Sequence, residues 1–308
     1  MALINKSLIS QIKKILLKSD RLASQILAGE YKSAFKGTGL NFDSIREYQY
    51  GDEIKNIDWK VTARMQEPFI RTYKEERQIT MMLIIDLSAS NNFGTAKKSK
   101  KELIIELASV LAFLAIKNND KVGLIIVTNE IEYLVPPKQG KAHIFKLIKD
   151  LLTFKPKSKK TNIKKVLQDA IKVIPRNSIV FFISDFIDET PSESEEKNKK
   201  TNLSYEQELK ILRKTQDLIL ISIRDKREFK LPNIGFIEIG DPETGEKQLL
   251  NLNRSSVRTS FFNSQKSYQQ NIKNSLKHLG VDFLEIINGN AYINDLLKLF
   301  LRREKRNH

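Results

Sequence analysis

The feature that most limits what this chain can fold into is a set of short runs whose side chains are all apolar. Met81–Ile85, Val122–Val127 and Ile179–Ile183 have the length of strands, far short of the roughly 18 to 20 residues that cross a bilayer. A strand with one wet face alternates apolar and polar side chains. A strand that is apolar throughout is buried on both faces, and that is the habit of parallel sheets covered by helices. Amphipathic segments lie between these runs. Lys101–Ile116 carries Leu103, Ile104, Leu107, Val110, Leu111 and Leu114 at helical spacing, and Ala142–Leu152 and Ile163–Val173 read the same way. The pattern predicts an α/β fold with a doubly wound, mostly parallel sheet.

The alternation begins near residue 78. Ile79–Leu87 is the first strand, and Ile131–Val135 is a short one that Pro136-Pro137 is expected to break. Ser178–Ser184 follows, then a polar loop over 188–208 rich in Glu, Ser, Lys and Asn. Leu203–Lys214 reads as a helix, Asp217–Ile223 as a strand, and Ile234–Ile239 with the turn at Asp241-Pro-Glu-Thr-Gly as a hairpin. Phe261–Leu279, Val281–Ile287 and Ala291–Arg302 are predicted as helix, strand and closing helix. Before this lies a helical stretch over 3–28 and a glycine-punctuated segment, Lys36-Gly-Thr-Gly-Leu, with a turn at Gly51-Asp52. The expected division is a smaller N-terminal lobe over 1–77 and a sheet domain over 78–308.

Composition removes several chemistries. With no cysteine there are no disulfides, thiolate metal sites or cysteine nucleophiles, and His143, His278 and His308 are too scattered for a zinc cluster. Lysines at 6, 13, 14 and 18 interrupt the N-terminus, which lacks the apolar core of a signal peptide. A cytoplasmic location is expected. The formal charge of +16 is compatible with nucleic acid, an anionic membrane surface or an acidic protein partner, and equally with a lysine-rich solvated surface. Lys138–Arg176 holds twelve Lys or Arg against Asp150 and Asp169. Within it, Lys155, Lys157, Lys159 and Lys160 gather just before Thr161, where they would steer an acidic partner.

The chemistry-bearing residues sit at strand ends. Asp86-Leu-Ser88-Ala-Ser90 follows the first buried strand, and Asp185 ends another. Thr161 stands at a helix start, where a hydroxyl can face the sheet edge. Ligands of open α/β sheets bind beyond the carboxyl ends of the strands. Taken alone, Asp86 and its serines equally suit the capping of the next turn. Together, two carboxylates and three hydroxyls form an all-oxygen donor set, suited to a hard cation such as magnesium or calcium. Low negative charge around such an ion leaves it electrophilic, ready to take an Asp or Glu from another protein.

This set resembles the metal-ion-dependent adhesion site of the von Willebrand factor A superfamily, Asp-x-Ser-x-Ser with a later Thr and Asp. The resemblance implies Asp86, Ser88, Ser90, Thr161 and Asp185 as metal ligands. Asp188 is a competitor for the last place, and Lys160 stands where a Gly often precedes the Thr. Further motifs narrow it: Gly37-x-Gly39, Phe42, Arg46-Glu47-Tyr48, Gly51-Asp52, Ile57-Asp58-Trp59-Lys60 and Ala63-Arg64. Together with the sheet domain, over about residues 35–190, they resemble the bacterial domain-of-unknown-function family 58. That resemblance implies a partner, a MoxR-type AAA+ ATPase, and no established reaction. Arg46, Asp52, Asp58, Trp59 and Arg64 could form an interaction surface or a second site, but the expectation is a buried ion-pair and aromatic network joining the lobe to the sheet.

No Gly-x-x-x-x-Gly-Lys-Ser/Thr loop is present, so the chain is not expected to be an ATPase itself. The position two after Asp86 is Ser88, whereas the phosphatases whose strand-end Asp is phosphorylated usually carry a second Asp there. The expectation is therefore a metal-dependent protein-interaction module and not an enzyme. A metal-dependent phosphoester hydrolase and a nucleic-acid binder are the alternatives.

Overall fold

The computed structural model describes residues 6–26, 31, 34–35, 41–74, 78–92, 94, 98–158, 160–186, 203–240 and 247–307. Along the chain, α1 (Lys6–Gln25) is followed by β1 (Asn41–Glu47), α2 (Trp59–Met65) and β2 (Phe69–Lys74). Next come β3 (Thr80–Asp86), α3 (Lys100–Lys117), β4 (Lys121–Val127), β5 (Ile131–Lys138), α4 (Lys141–Thr153), α5 (Ile163–Val173) and β6 (Ile179–Ser184). The chain continues through α6 (Glu206–Thr215), β7 (Asp217–Arg224), the antiparallel pair β8 (Phe236–Gly240) and β9 (Lys247–Asn251), α7 (Ser255–Leu279), β10 (Asp282–Ile287) and α8 (Ile293–Asn307).

The centre is a six-stranded sheet in the order β10-β7-β6-β3-β4-β5, parallel except for β5, which runs antiparallel along β4. Its pleat explains the uniformly apolar strands. Met81, Leu83 and Ile85 of β3 enter one core with α1, α3, α4 and α8. Met82 and Ile84 enter the other core with α5, α6 and α7. Both faces are dry, so neither set of alternate positions tolerates a polar side chain.

Helix α3 is the pivot of the first layer. A capping box between Ser99 and Glu102 starts it, and most of its length is buried, including residues on every side of the cylinder. A helix apolar all round needs cover on all sides. Here α1 supplies it, through Ile12 and Ala23, with Tyr31 and Phe35 beyond it joining the same core. The first helix is a layer of the sheet domain, while β1 and β2 form a separate antiparallel pair with α2 between them.

The expectation that Pro136-Pro137 breaks the strand at Ile131–Val135 is corrected, because β5 runs through both to Lys138. As the edge strand it has one side free of ladder bonds, and its pairing with β4 shifts register between Val122 and Leu124. Prolines are tolerated at such places. Gly123 belongs to the same device. A Cβ there would meet Met82 and come within 3.1 Å of the Pro137 nitrogen. Gly123→Ala should therefore destabilise the fold by about 1–3 kcal/mol, the cost of forcing a methyl into a packed site, read as a lowered denaturation midpoint.

Two further expectations were close in kind and wrong in extent. Helix α7 starts at Ser255, six residues before Phe261, and α8 runs on to Asn307. The polar loop expected over 188–208 lies outside the described residues up to 202, as does the turn at 241–246.

Candidate metal centre

Strand β3 leaves the sheet at Asp86. The Leu87 N–H makes a last bond to the Val127 carbonyl (3.1 Å), and the chain then folds into a short 3-10 turn over Ala89–Asn92. Asp86 braces that turn, with Oδ1 accepting from the Ser88 N–H at 2.9 Å. Asn91 closes it, donating Nδ2 to the Asp86 carbonyl (3.2 Å) and to Ser88 Oγ (3.3 Å). The Ser88 and Ser90 hydroxyls lie 3.2 Å apart. The turn-capping role legible in the sequence is real, and it gathers the carboxylate and both hydroxyls at one point.

Asp185 arrives from the neighbouring strand. Ser184, the last residue of β6, donates its hydroxyl to Asp86 Oδ2 at 2.7 Å and accepts the Phe186 N–H at 3.0 Å. Phe186 takes a left-handed backbone (φ 55°), uncommon for a bulky residue. Its ring packs on Phe182 and its carbonyl accepts the Tyr268 hydroxyl (2.8 Å), contacts that hold the bend just past Asp185. Thr161 is buried two residues ahead of α5, whose N-cap Asn162 accepts from the Lys165 N–H. Glu132 pins the loop leading there, accepting from the Thr128 hydroxyl and from the N–H groups of Lys157 (2.8 Å) and Ser158 (3.3 Å).

The topology explains why Asp86 and Asp185 come together. From β3 the chain crosses over α3 to β4 on one side, and it returns over α5 to β6 on the other. The two helices lie on opposite faces. Between β3 and β6 the winding therefore reverses, and the carboxyl ends of that strand pair frame the crevice where open α/β sheets take their ligands. Asp86 ends β3, and Asp185 directly follows the last residue of β6.

Asp86 and Asp185 are both fully buried. Burial, and then repulsion from the Asp185 carboxylate, push Asp86 up to about 6, against the bonds from the Ser88 N–H and the Ser184 hydroxyl. Nearby is a group the sequence reading missed. Lys100, the first residue of α3, is fully buried, with Nζ 3.0 Å from Asp185 Oδ2 and 2.6 Å from Glu228 Oε1. Burial works against its charge, but Asp185 and Glu228 outweigh it and hold its pKa above the ordinary lysine value. Glu228 Oε2 in turn accepts the Asp225 N–H (3.1 Å) and lies 3.6 Å from Arg224 Nε. Lys100 stands in Lys98-Ser-Lys100-Lys101, which reads as an exposed basic run, so no sequence signal marked it as buried.

The residues suit a divalent cation on three counts. Every donor is oxygen. Two buried carboxylates stand close enough for one to disturb the other's charge. Asn91 Oδ1, beside Ser88, is a buried acceptor with no hydrogen-bond partner among the described residues. Asp86, Ser88, Ser90, Thr161 and Asp185 would hold the ion. Among the described residues no group of three or more His, Asp or Glu assembles, so an ion here would rest on hydroxyls as much as on charge.

The expected N-terminal network is corrected. Trp59 is 68% exposed, and Arg64 is exposed with it. Arg46 makes a two-pronged surface pair with Asp52 (2.9 and 2.7 Å). Asp58 is buried, but for a local reason. It caps α2 through the N–H groups of Lys60 and Val61 and holds Arg71 at 2.7 Å. These bonds close the β1–α2–β2 unit on itself and do not stitch it to the sheet.

Fold and site together define an open α/β protein with an oxygen-donor cluster at its switch point. The chain belongs to the family described as Protein of unknown function DUF58, whose pattern it matches over residues 44–271. It is 22% identical over 282 residues to the uncharacterized protein Rv1480 of Mycobacterium tuberculosis, covering 91% of this chain and 84% of that one. The same figures hold for the uncharacterized protein Mb1516 of Mycobacterium bovis. The uncharacterized protein YeaD of Bacillus subtilis is 27% identical over 108 residues, 35% of this chain and 25% of that one. Among solved structures, the conserved hypothetical protein BatB from Bacteroides thetaiotaomicron aligns with a TM-score of 0.45 at 13% identity, over 74% of this chain and 99% of that one. Among the described residues no helix is long and apolar enough to cross a membrane.

Proposed function

We propose that this protein is a metal-assisted interaction module that captures an acidic side chain of a partner protein through a divalent cation at the β3/β6 switch point. The observation that carries the reading is the convergence of Asp86, Ser88 and Ser90 with Asp185 at the end of the adjacent strand. Magnesium or calcium supplies an electrophilic centre there. The protein's own groups orient it, and the partner's Asp or Glu completes its shell. The exposed Lys155, Lys157 and Lys160, next to Thr161, favour approach by an acidic surface. A MoxR-type AAA+ ATPase is the partner that the family resemblance suggests, and binding rather than catalysis is the role.

The test is capture of such an ATPase from the same organism by the immobilised protein, with magnesium, with EDTA, and with Asp86→Ala. Capture should be lost in both latter cases while the variant still melts cooperatively. It should also slow as salt rises from about 0.05 to 0.5 M, as screening of a steering field requires. Equal capture in all three conditions sinks the reading.

A further inference from the structure

Lys100 is a costly residue to bury at this edge. A lysine ammonium with no exposure is rare unless paired, and this one is paired twice, to Asp185 and to Glu228. One of those partners is a proposed metal ligand. An ion entering the site meets a carboxylate whose Oδ2 already holds a cation at 3.0 Å. The opposite anchor is no accident of the surface either. Glu228 sits in its own capping box with Asp225, and Asn288 ties that turn to the stretch before α3, donating Nδ2 to the Lys98 carbonyl (2.7 Å) and to Asp225 Oδ2 (3.3 Å). The ammonium is thus held in a built cage that spans the carboxyl ends of β6 and β7.

We propose that Lys100 is an internal counter-cation that sets the affinity of the metal site. This inference rests on the metal reading of Asp86 and Asp185 given above. Lys100 shares Asp185 with the divalent ion and repels it, so the site alone holds the ion weakly. A partner carboxylate restores the missing negative charge, so cation and acidic partner are retained together and neither is retained well alone. Lys100 is a positioning residue here, because it acts through Asp185.

The measurement is magnesium and calcium titration by calorimetry on the full chain, with wild type, Lys100→Met, and Lys100→Met combined with Glu228→Gln. The double variant removes one charge of each sign, so it frees Asp185 without changing the net charge of the cage. It also removes one of the two acids that Lys100→Met alone would leave without the lysine. Thermal melts of each protein, with and without the ion, show that it is folded. The double variant should bind about tenfold tighter than wild type or better, the scale on which one neighbouring charge acts at such distances. Unchanged or weaker binding in a folded double variant overturns the role of Lys100, whereas binding absent from wild type and double variant alike overturns the metal reading on which it rests. Tightened binding that survives an added Asp86→Ala overturns the metal site itself. A purely structural lysine predicts loss of stability and no gain in affinity.

Discussion

In EDTA at pH 7 to 8, Asp86→Asn should melt higher than wild type, while losing all response to magnesium. The two effects have opposite signs because the same charge is a burden to the empty fold and a requirement of the bound ion. Raising a carboxylate from 3.8 to about 6 costs its charged form about 3 kcal/mol, here through burial and then through Asp185. The folded pKa lies above the unfolded one, so the folded state binds the extra proton. Stability from this group is therefore present below about pH 4 and lost as pH rises through about 6. Asparagine removes that loss. It keeps an oxygen for the Ser88 N–H and turns a nitrogen to the Ser184 hydroxyl, which can accept. The gain should be about 1–3 kcal/mol at pH 8 and should shrink toward zero as pH falls from about 6 to about 4. Magnesium at a hundred times its dissociation constant should add about 2.7 kcal/mol to wild type and nothing to the variant. A variant less stable than wild type at every pH would mean that Asp86 is held in place by more than the carboxylate's burden, and that the switch-point turn depends on its charge.

The strands were legible because burial on both faces leaves an unbroken apolar run, and nothing else in a polar chain looks like Met81–Ile85 or Ile179–Ile183. Asp86, Ser88 and Ser90 were legible for a related reason, since a polar triplet directly after such a run must lie at the sheet's edge. Parts of the site set by long-range contacts were not legible. Ser184 is the last residue of a strand and reads as its end, yet its hydroxyl is what joins β6 to Asp86. Lys100 lies in a lysine-rich stretch whose composition says surface, and only Asp185 and Glu228, 85 and 128 residues away, bring it inside. Trp59 misled in the other direction. Tryptophan beside paired Arg and Asp usually marks a buried junction, but α2 is a single short helix with no buried residue, so its tryptophan faces solvent. Pro136-Pro137 marked an end for the strand at Ile131–Val135 because proline offers no donor, a rule that yields where the strand is an edge.

At the opposite end of the sheet, Arg303→Leu should be among the most damaging single substitutions away from the metal site. Arg303, on α8, is nearly buried and bonds both Asp282 at the start of β10 and Asp217 at the start of β7. Its guanidinium also lies 4.8 Å from the centre of the Phe35 ring, which ties the residues after α1 to α8. Leucine fills much of the volume but leaves Asp282 buried, with the exposed Arg306 still bonded to it at 2.7 Å. Breaking a buried pair by removing one partner costs about 3–5 kcal/mol, most of it the penalty of the orphaned charge. If that is the origin of the loss, Asp282→Asn in the same chain should recover a large part of it, about 1–3 kcal/mol of coupling between neighbours. Purely additive effects would instead assign the loss to packing around Phe35. Cation binding at the carboxyl edge should be unchanged in any of these variants that remains folded. That separates the element holding the sheet together from the one proposed to act.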